Sequence, residues 1–209
     1  MLGNLYDRAL TGERCWIRRE DGAVSGLPVH SWLRAGTAGT GFDATMVGLC
    51  DGPTIDLGCG PGRLVADLVQ RGVPALGVDQ SATAVAIARR RGAPALRRDL
   101  FETLPGTGRW STVLLADGNV GIGGDPLRVL RRAAELLGST GRCVVEVDTV
   151  TRGVHSHWVR LESAMAVGPW FRWATVGVDG LRSLAGDVGL SMCTAASMGD
   201  RMLATLSAA

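Results

Sequence analysis

The stretch Thr54 to Gly62, TIDLGCGPG, joins an apolar strand-like run to a turn in which glycine recurs at Gly58, Gly60 and Gly62. Glycine allows positive φ and lets the backbone approach a ligand at the carboxyl edge of an open α/β sheet. Three carboxylates surround this loop in sequence. Asp56 stands two residues before the first glycine, Asp79 closes the next apolar run, and Asp99 follows the one after. A dinucleotide fingerprint needs a glycine three places beyond Gly60, but Arg63 stands there, which argues against NAD or FAD. A carboxylate beside a pyrophosphate would repel it, so Asp56 suits a cationic ligand better. Cys59 has no sequence neighbour that would depress its pKa and reads as a small lining residue. The later run GNVGIGG lacks the lysine and hydroxyl of a P-loop and reads as a mobile loop.

If the chemistry needs a base, the candidates are His30, His155, His157 and Asp117, because imidazole titrates near neutral pH and a carboxylate can serve the same role. The sequence does not choose among them. His155 and His157 would share one face of an extended strand, but a metal needs a third ligand, so no metal site is expected.

Positioning these groups requires alternating strands and helices from Pro53 onward, the pattern of a parallel sheet with helices packed on it. Strands are expected at Thr54–Leu57, Ala75–Val78, Ala95–Arg97, Thr112–Ala116 and Cys143–Val147, with two short ones near Ser191–Ala196 and Met202–Leu206. Leu64, Val65, Leu68 and Val69 recur at helical spacing up to Gly72. A second helix runs from Ser81 as N-cap to the arginines before Gly92, which suit the negative end of its dipole. Asp125 as N-cap and Pro126 at the first position open a third helix, with Gly138 as its stop, and a fourth spans about Gly180 to Val188. Residues 1–50 read as an N-terminal cap with a short helix at Leu5–Leu10 and a hairpin turning at Asp21-Gly22, and residues 51–209 as the ligand-binding part of one structural domain. Trp16, Trp32, Trp158, Trp170, Phe171 and Trp173 lie outside the strand–helix region, in two segments expected to form a lid over the carboxyl edge. They serve equally well as substrate-pocket rings or as the lid's own core.

Composition narrows the class. A chain of 209 residues with 46% hydrophobic and 20% charged residues has the size and balance of one compact domain. Its 22 cationic residues are all arginine, which fits compositional bias, and a net charge of +2 does not call for a nucleic-acid partner. Five scattered cysteines without a CxxC pair argue against a disulfide framework or zinc site. With no signal-peptide pattern and no long apolar run, the expected location is cytoplasmic, without membrane attachment.

On TIDLGCGPG, Asp79, Asp99 and the segment LLADGNVGIGG, the chain resembles the class I S-adenosylmethionine-dependent methyltransferases of the small-molecule type. That resemblance implies a Rossmann-like, doubly wound α/β fold with a mostly parallel seven-stranded sheet, helices on both faces and an N-terminal cap. It further implies S-adenosylmethionine as cofactor, with Asp56, Gly58, Cys59, Gly60 and Gly62 beneath its methionine part and Asp79, followed by Gln80, at the ribose hydroxyls. Asp99 and Leu100 would lie beside the adenine, Asp117, Gly118 and Asn119 would face the transferable methyl group, and Tyr6 would close over the cofactor. The loop after the fourth strand lacks the runs typical of DNA-amino or protein-arginine methyltransferases, which leaves a small organic acceptor, with the O, N or C atom open. The expected assembly is a monomer or homodimer. An alternative is a scaffold of the same fold that binds cofactor without methylating.

Overall fold

The computed structural model describes residues 3–34 and 41–208. Residues 1–2 and 35–40 of the expected cap, and residue 209, lie outside the described residues. The amino-terminal part comprises α1 (Gly3–Leu10), β1 (Cys15–Arg19), β2 (Val24–Gly26), α2 (Val29–Leu33) and α3 (Phe42–Gly48). Then come β3 (Thr54–Leu57), α4 (Arg63–Gln70), β4 (Ala75–Asp79), α5 (Ala82–Arg90), β5 (Ala95–Arg97), β6 (Trp110–Leu115), a 3-10 turn at Asn119–Gly121, α6 (Pro126–Leu136) and β7 (Leu137–Val147). The chain ends with β8 (Val154–Ser163), β9 (Ala166–Val167), β10 (Phe171–Val176), α7 (Val178–Gly186), β11 (Leu190–Met198) and β12 (Arg201–Ala208).

Seven strands form the main sheet in the order β11–β12–β7–β6–β3–β4–β5. The five from β7 to β5 are parallel, and β12 and β11 are added antiparallel at one edge. Strand alternation explains how both faces are covered. Val113 and Leu115 of β6 join Val129, Leu130 and Ala133 of α6 and Leu181 of α7 in one core, while Leu114 and Ala116 join Met46 of α3 and Leu64 and Leu68 of α4 in another. This is the expected doubly wound α/β arrangement. Successive strands run outward from β3 through β4 to β5, and then the chain returns to place β6 on the other side of β3. The crevice between the carboxyl ends of β3 and β6 is therefore the point where strand order reverses, the usual ligand position in such sheets.

A second, antiparallel sheet in the order β10–β8–β1–β2, with β9 on β8, stands over that edge. It joins the N-terminal hairpin to residues 154–176, with Ile17 opposite Leu161 and Trp173 opposite His157. Leu5 and Ala9 of α1 pack on it against Cys15 and Leu161. At the far end an isolated bridge links Trp173 to Ile122, and the Ser156 hydroxyl donates to the Gly124 carbonyl at 3.0 Å. The lid thus rests directly on the loop after β6.

The expected helices and strands of the main sheet are found at nearly the expected places. Gly138 is a correction: it does not stop α6 in a left-handed conformation but lies inside β7, because Leu137 turns extended at φ −66° and ψ 140° and the strand starts at once. Short helices α2 and α3 and the strands β8 and β10 are additions to the sequence reading.

Candidate active site

The turn after β3 places Gly58, Gly60 and Gly62 at φ 79°, 52° and 76°, the left-handed region that disfavours any side chain. At Gly58 a Cβ would also stand 2.6 Å from the Asn119 amide nitrogen. Gly58→Ala should therefore lower stability by about 2–4 kcal/mol, combining backbone strain with overpacking, as chemical denaturation will measure.

Asp79 ends β4 with both oxygens engaged, accepting the Gly60 N–H at 2.9 Å and the Ser81 N–H at 2.8 Å. Burial raises its carboxyl above the usual value, and those backbone donors oppose the rise. Ser81 caps α5 by accepting the Ala84 N–H at 2.9 Å and donates its hydroxyl to Asp7, which fastens α1 to the cofactor-side loops. Tyr6 sits beside Trp32 edge-to-face, with ring centroids 5.8 Å apart, and its hydroxyl lies 3.1 Å from where a Cβ on Gly60 would be. Burial, followed by the nearby Asp79 charge, pushes its phenol up, so it stays a neutral donor.

Cys59 is buried with its sulfur 2.5 Å from the Cβ position of Gly77, and burial pushes its thiol well up. It packs in a small core with Val65, Val85 and Ala88. Gln80 is exposed; Leu100 is buried in the main core; Asp99 accepts the Phe101 N–H at 2.9 Å in a local turn. The Asn119 amide donates to the carbonyls of Leu57 at 3.0 Å and Gly58 at 2.8 Å, so it stitches the loop after β6 to the glycine turn across the crevice.

Asp56 is 2% exposed, and one of its carboxylate oxygens accepts no hydrogen bond among the described residues. Burial pushes its pKa to about 7, although Arg63 pulls the other way. A buried orphan acceptor costs free energy until a donor arrives, so this oxygen fits a cationic ligand group.

The loop after β6 holds Asp117, the sole non-glycine residue with positive φ among those described, at 52°. Its carboxylate takes two bonds from Arg63, at 2.6 and 2.9 Å, and one from Arg201 at 3.3 Å. Arg63, only 8% exposed, also grips Asp43 of α3 at 2.8 Å. Arg201 further pairs with Asp43 at 3.0 Å and with both oxygens of Glu146 at 2.7 Å. Burial would raise the Asp43 carboxyl, but the Arg63 and Arg201 guanidiniums hold it below its ordinary value. Beside this network a cavity of about 290 Å³ opens between the main sheet and the lid, lined among others by Asp117, Gly118, Glu146, Trp173, Thr175 and Arg201.

The histidines all lie on cap and lid elements. His30 is exposed on α2; His155 is exposed on β8, with Nε2 2.8 Å from the Arg152 carbonyl. His157 is half-buried, with its nitrogens 3.4 Å from Arg19 Nη2 and 3.4 Å from the Thr175 hydroxyl, and burial lowers its pKa, helped by the Arg19 charge. The glycine turn, Asp79, Asp117 and Asn119 are thus gathered at one crevice, whereas His30 lies on α2 and His155 on β8, opposite Thr175 of the cavity wall. Asp43, Glu146 and Arg201 are site residues that the sequence reading did not single out, and it noted Arg63 only as a missing glycine. The available signal was charge inside otherwise apolar strand and helix patterns.

Residues 55–141 match the family model described as methyltransferase domain. The match runs from β3 into the first half of β7. The chain also has extensive structural likeness to solved proteins. A S-adenosylmethionine-dependent methyltransferase from Bacteroides fragilis, solved with S-adenosyl-L-homocysteine, superposes with TM-score 0.82 at 19% identity, over 100% of this chain and 94% of the other. The 1,6-didemethyltoxoflavin-N1-methyltransferase of Burkholderia thailandensis gives 0.61 at 16% identity, over 79% and 77% of the two chains. A sugar N-methyltransferase from a Streptoalloteichus species gives 0.56 at 18%, over 75% and 80%. These likenesses show that the chain has the Rossmann-like fold of those proteins. No curated protein matches its sequence. Among its described residues, no helix is long and apolar enough to cross a membrane.

Proposed function

We propose that the protein transfers a methyl group from S-adenosylmethionine to a small organic molecule bound in the cavity between the loop after β6 and the lid. The observation that carries this reading is the pairing of the glycine turn with Asp56, whose buried oxygen lacks a donor within the chain. When bound, the cofactor supplies an already activated sulfonium methyl, so the protein's tasks are placement, a polar cradle and exclusion of water. Asp56, Gly58, Cys59, Gly60 and Gly62 cradle its methionine part, with Asp117, Gly118 and Asn119 at the methyl-facing side. Asp79 and Gln80 hold the ribose, Asp99 and Leu100 flank the adenine, and Tyr6 closes the site. The solved neighbours named above include N-methyltransferases acting on a heterocycle and on a sugar, which supports a small acceptor over nucleic acid. If proton removal is needed, His30, His155 and Asp117 are the candidate bases. The reading places a monomer or homodimer in the cytoplasm, with no nucleic-acid or membrane partner, and treats residues 1–50 as cap and 51–209 as the cofactor-binding part of one domain.

Isothermal titration with S-adenosylmethionine tests the cofactor, and labelled methyl transfer into the small-molecule fraction of a native-host extract tests turnover. Absence of binding heat rejects the reading, and binding without transfer supports a non-methylating scaffold instead.

The raised Asp56 pKa adds a pH test. An acid whose folded pKa lies above its unfolded value stabilises the fold below the unfolded pKa and loses that contribution as pH rises towards about 7. A cationic ligand group compensates the ionised form. The gain in melting temperature from S-adenosylhomocysteine should therefore grow between pH 5 and 8, and Asp56→Asn should flatten that growth, as scanning fluorimetry across pH can show.

A further inference from the structure

We propose that Arg201 of the C-terminal hairpin, acting through Glu146, is a positioning residue for methyl transfer. This rests on the methyltransferase reading above, but it concerns a residue outside the segment matched by the family model, which ends at 141.

Asp117 must hold a left-handed backbone at φ 52°, a conformation that a non-glycine residue keeps only when its surroundings impose it. Two restraints impose it. The Asp117 N–H donates to Glu146 Oε2 at 2.6 Å, and the Asp117 carboxylate is gripped by Arg63. Glu146 is held in turn by the Arg201 fork, Nε to Oε1 at 2.7 Å and Nη2 to Oε2 at 2.7 Å, while the same guanidinium reaches Asp43 and Asp117. The guanidinium also lies 4.0 Å from the centre of the Phe42 ring. Every donor nitrogen of Arg201 has a carboxylate partner, and the plane is set by an aromatic face.

The consequence concerns geometry at the methyl-facing loop. Arg201 and Glu146 line the cavity with Asp117 and Gly118, so they fix the wall past which an acceptor must approach. A shift of about 1 Å in such a wall costs an in-line displacement much of its rate without touching the cofactor's own contacts. The ribose contacts proposed for Asp79 lie on the β4 side of β3, whereas the bonds of Arg201 go to Glu146, Asp43 and Asp117. The fork geometry matters as well as the charge. A lysine at 201 would keep the charge but could not bridge both Glu146 oxygens with a flat fork stacked over the Phe42 ring.

The test compares the full-length protein with Arg201→Gln, Arg201→Lys and Glu146→Gln. Three quantities are read: hydrogen exchange of the Asp117 amide, the dissociation constant for S-adenosylhomocysteine, and label transfer from saturating S-adenosylmethionine. Arg201→Gln should speed Asp117 exchange by about tenfold or more and cut transfer by a similar factor, while the dissociation constant stays within about threefold. Arg201→Lys should recover only part of either loss. Unchanged Asp117 exchange overturns the proposal, and so does a parallel loss of S-adenosylhomocysteine affinity, which would mark a general structural role. If Arg201→Gln does not fold, Glu146→Gln gives the same readings from the other side of the pair. Wild-type protein that binds S-adenosylhomocysteine but transfers no label rejects the turnover reading alone, because the exchange result still decides whether Arg201 positions Asp117.

Discussion

Asp79→Ala is expected to weaken S-adenosylmethionine binding by about a hundredfold or more. Asp79 is the residue placed at the ribose, and charge-assisted hydrogen bonds of this kind contribute about 1.5–3 kcal/mol each. Two such bonds lost together give the stated factor. The structure adds a second route to the same loss. Asp79 also accepts the N–H groups of Gly60 and Ser81, so its removal frees the glycine turn and loosens the start of α5. Asp79→Asn separates the two routes, because an amide oxygen retains one backbone acceptor while the charge is lost. Titration calorimetry of both variants should rank them alanine weakest, asparagine intermediate. A dissociation constant unchanged in Asp79→Ala would remove Asp79 from the cofactor site.

The same residues show which parts of the site a sequence can carry. The glycine turn, Asp79 and the N-cap Ser81 were legible because each is local: a strand, a turn and a cap set by their own neighbours. The apolar alternation of β6 and the stripe of α6 likewise announced their partners in the core. The lid was only half legible. Its aromatics marked two segments, but β8 alternates weakly, with intermediate or exposed residues on both faces through Trp158, so its strand did not declare itself. The charged network was not legible at all. Arg201 meets Asp43 across 158 positions and Asp117 across 84, and no local pattern encodes such a meeting. Arg63 illustrates the limit well. Read alone it was the residue that broke a dinucleotide fingerprint; in the fold it is the buried cation that pairs the buried Asp43 and the half-buried Asp117 beside the crevice.

Arg63→Ala should destabilise the protein by about 3–5 kcal/mol, because it strips a buried cation from the buried Asp43 carboxylate, which cannot follow it into water. Asp43 is 6% exposed at its side chain and Arg63 8%, so neither charge is screened by solvent. Against a typical domain stability of about 5–15 kcal/mol that loss is large enough to be seen at once in urea denaturation. The pH dependence supplies the check on cause. Asp43 has a folded pKa below its ordinary 3.8, so its pairing stabilises the fold above that pH and is lost as pH falls through the folded value. In the alanine variant Asp43 keeps Arg201 at 3.0 Å and the exposed Arg34 at 3.8 Å but loses its buried partner, its carboxyl rises, and protonation relieves the strain at higher pH. The difference between wild type and Arg63→Ala should therefore be greatest near neutrality and shrink below about pH 4. Adding Asp43→Asn to Arg63→Ala should recover part of the loss, since the uncompensated charge is then gone, whereas Asp43→Asn alone should cost stability. A difference that stays constant with pH would mean that Arg63 contributes through packing of its stem and not through its charge.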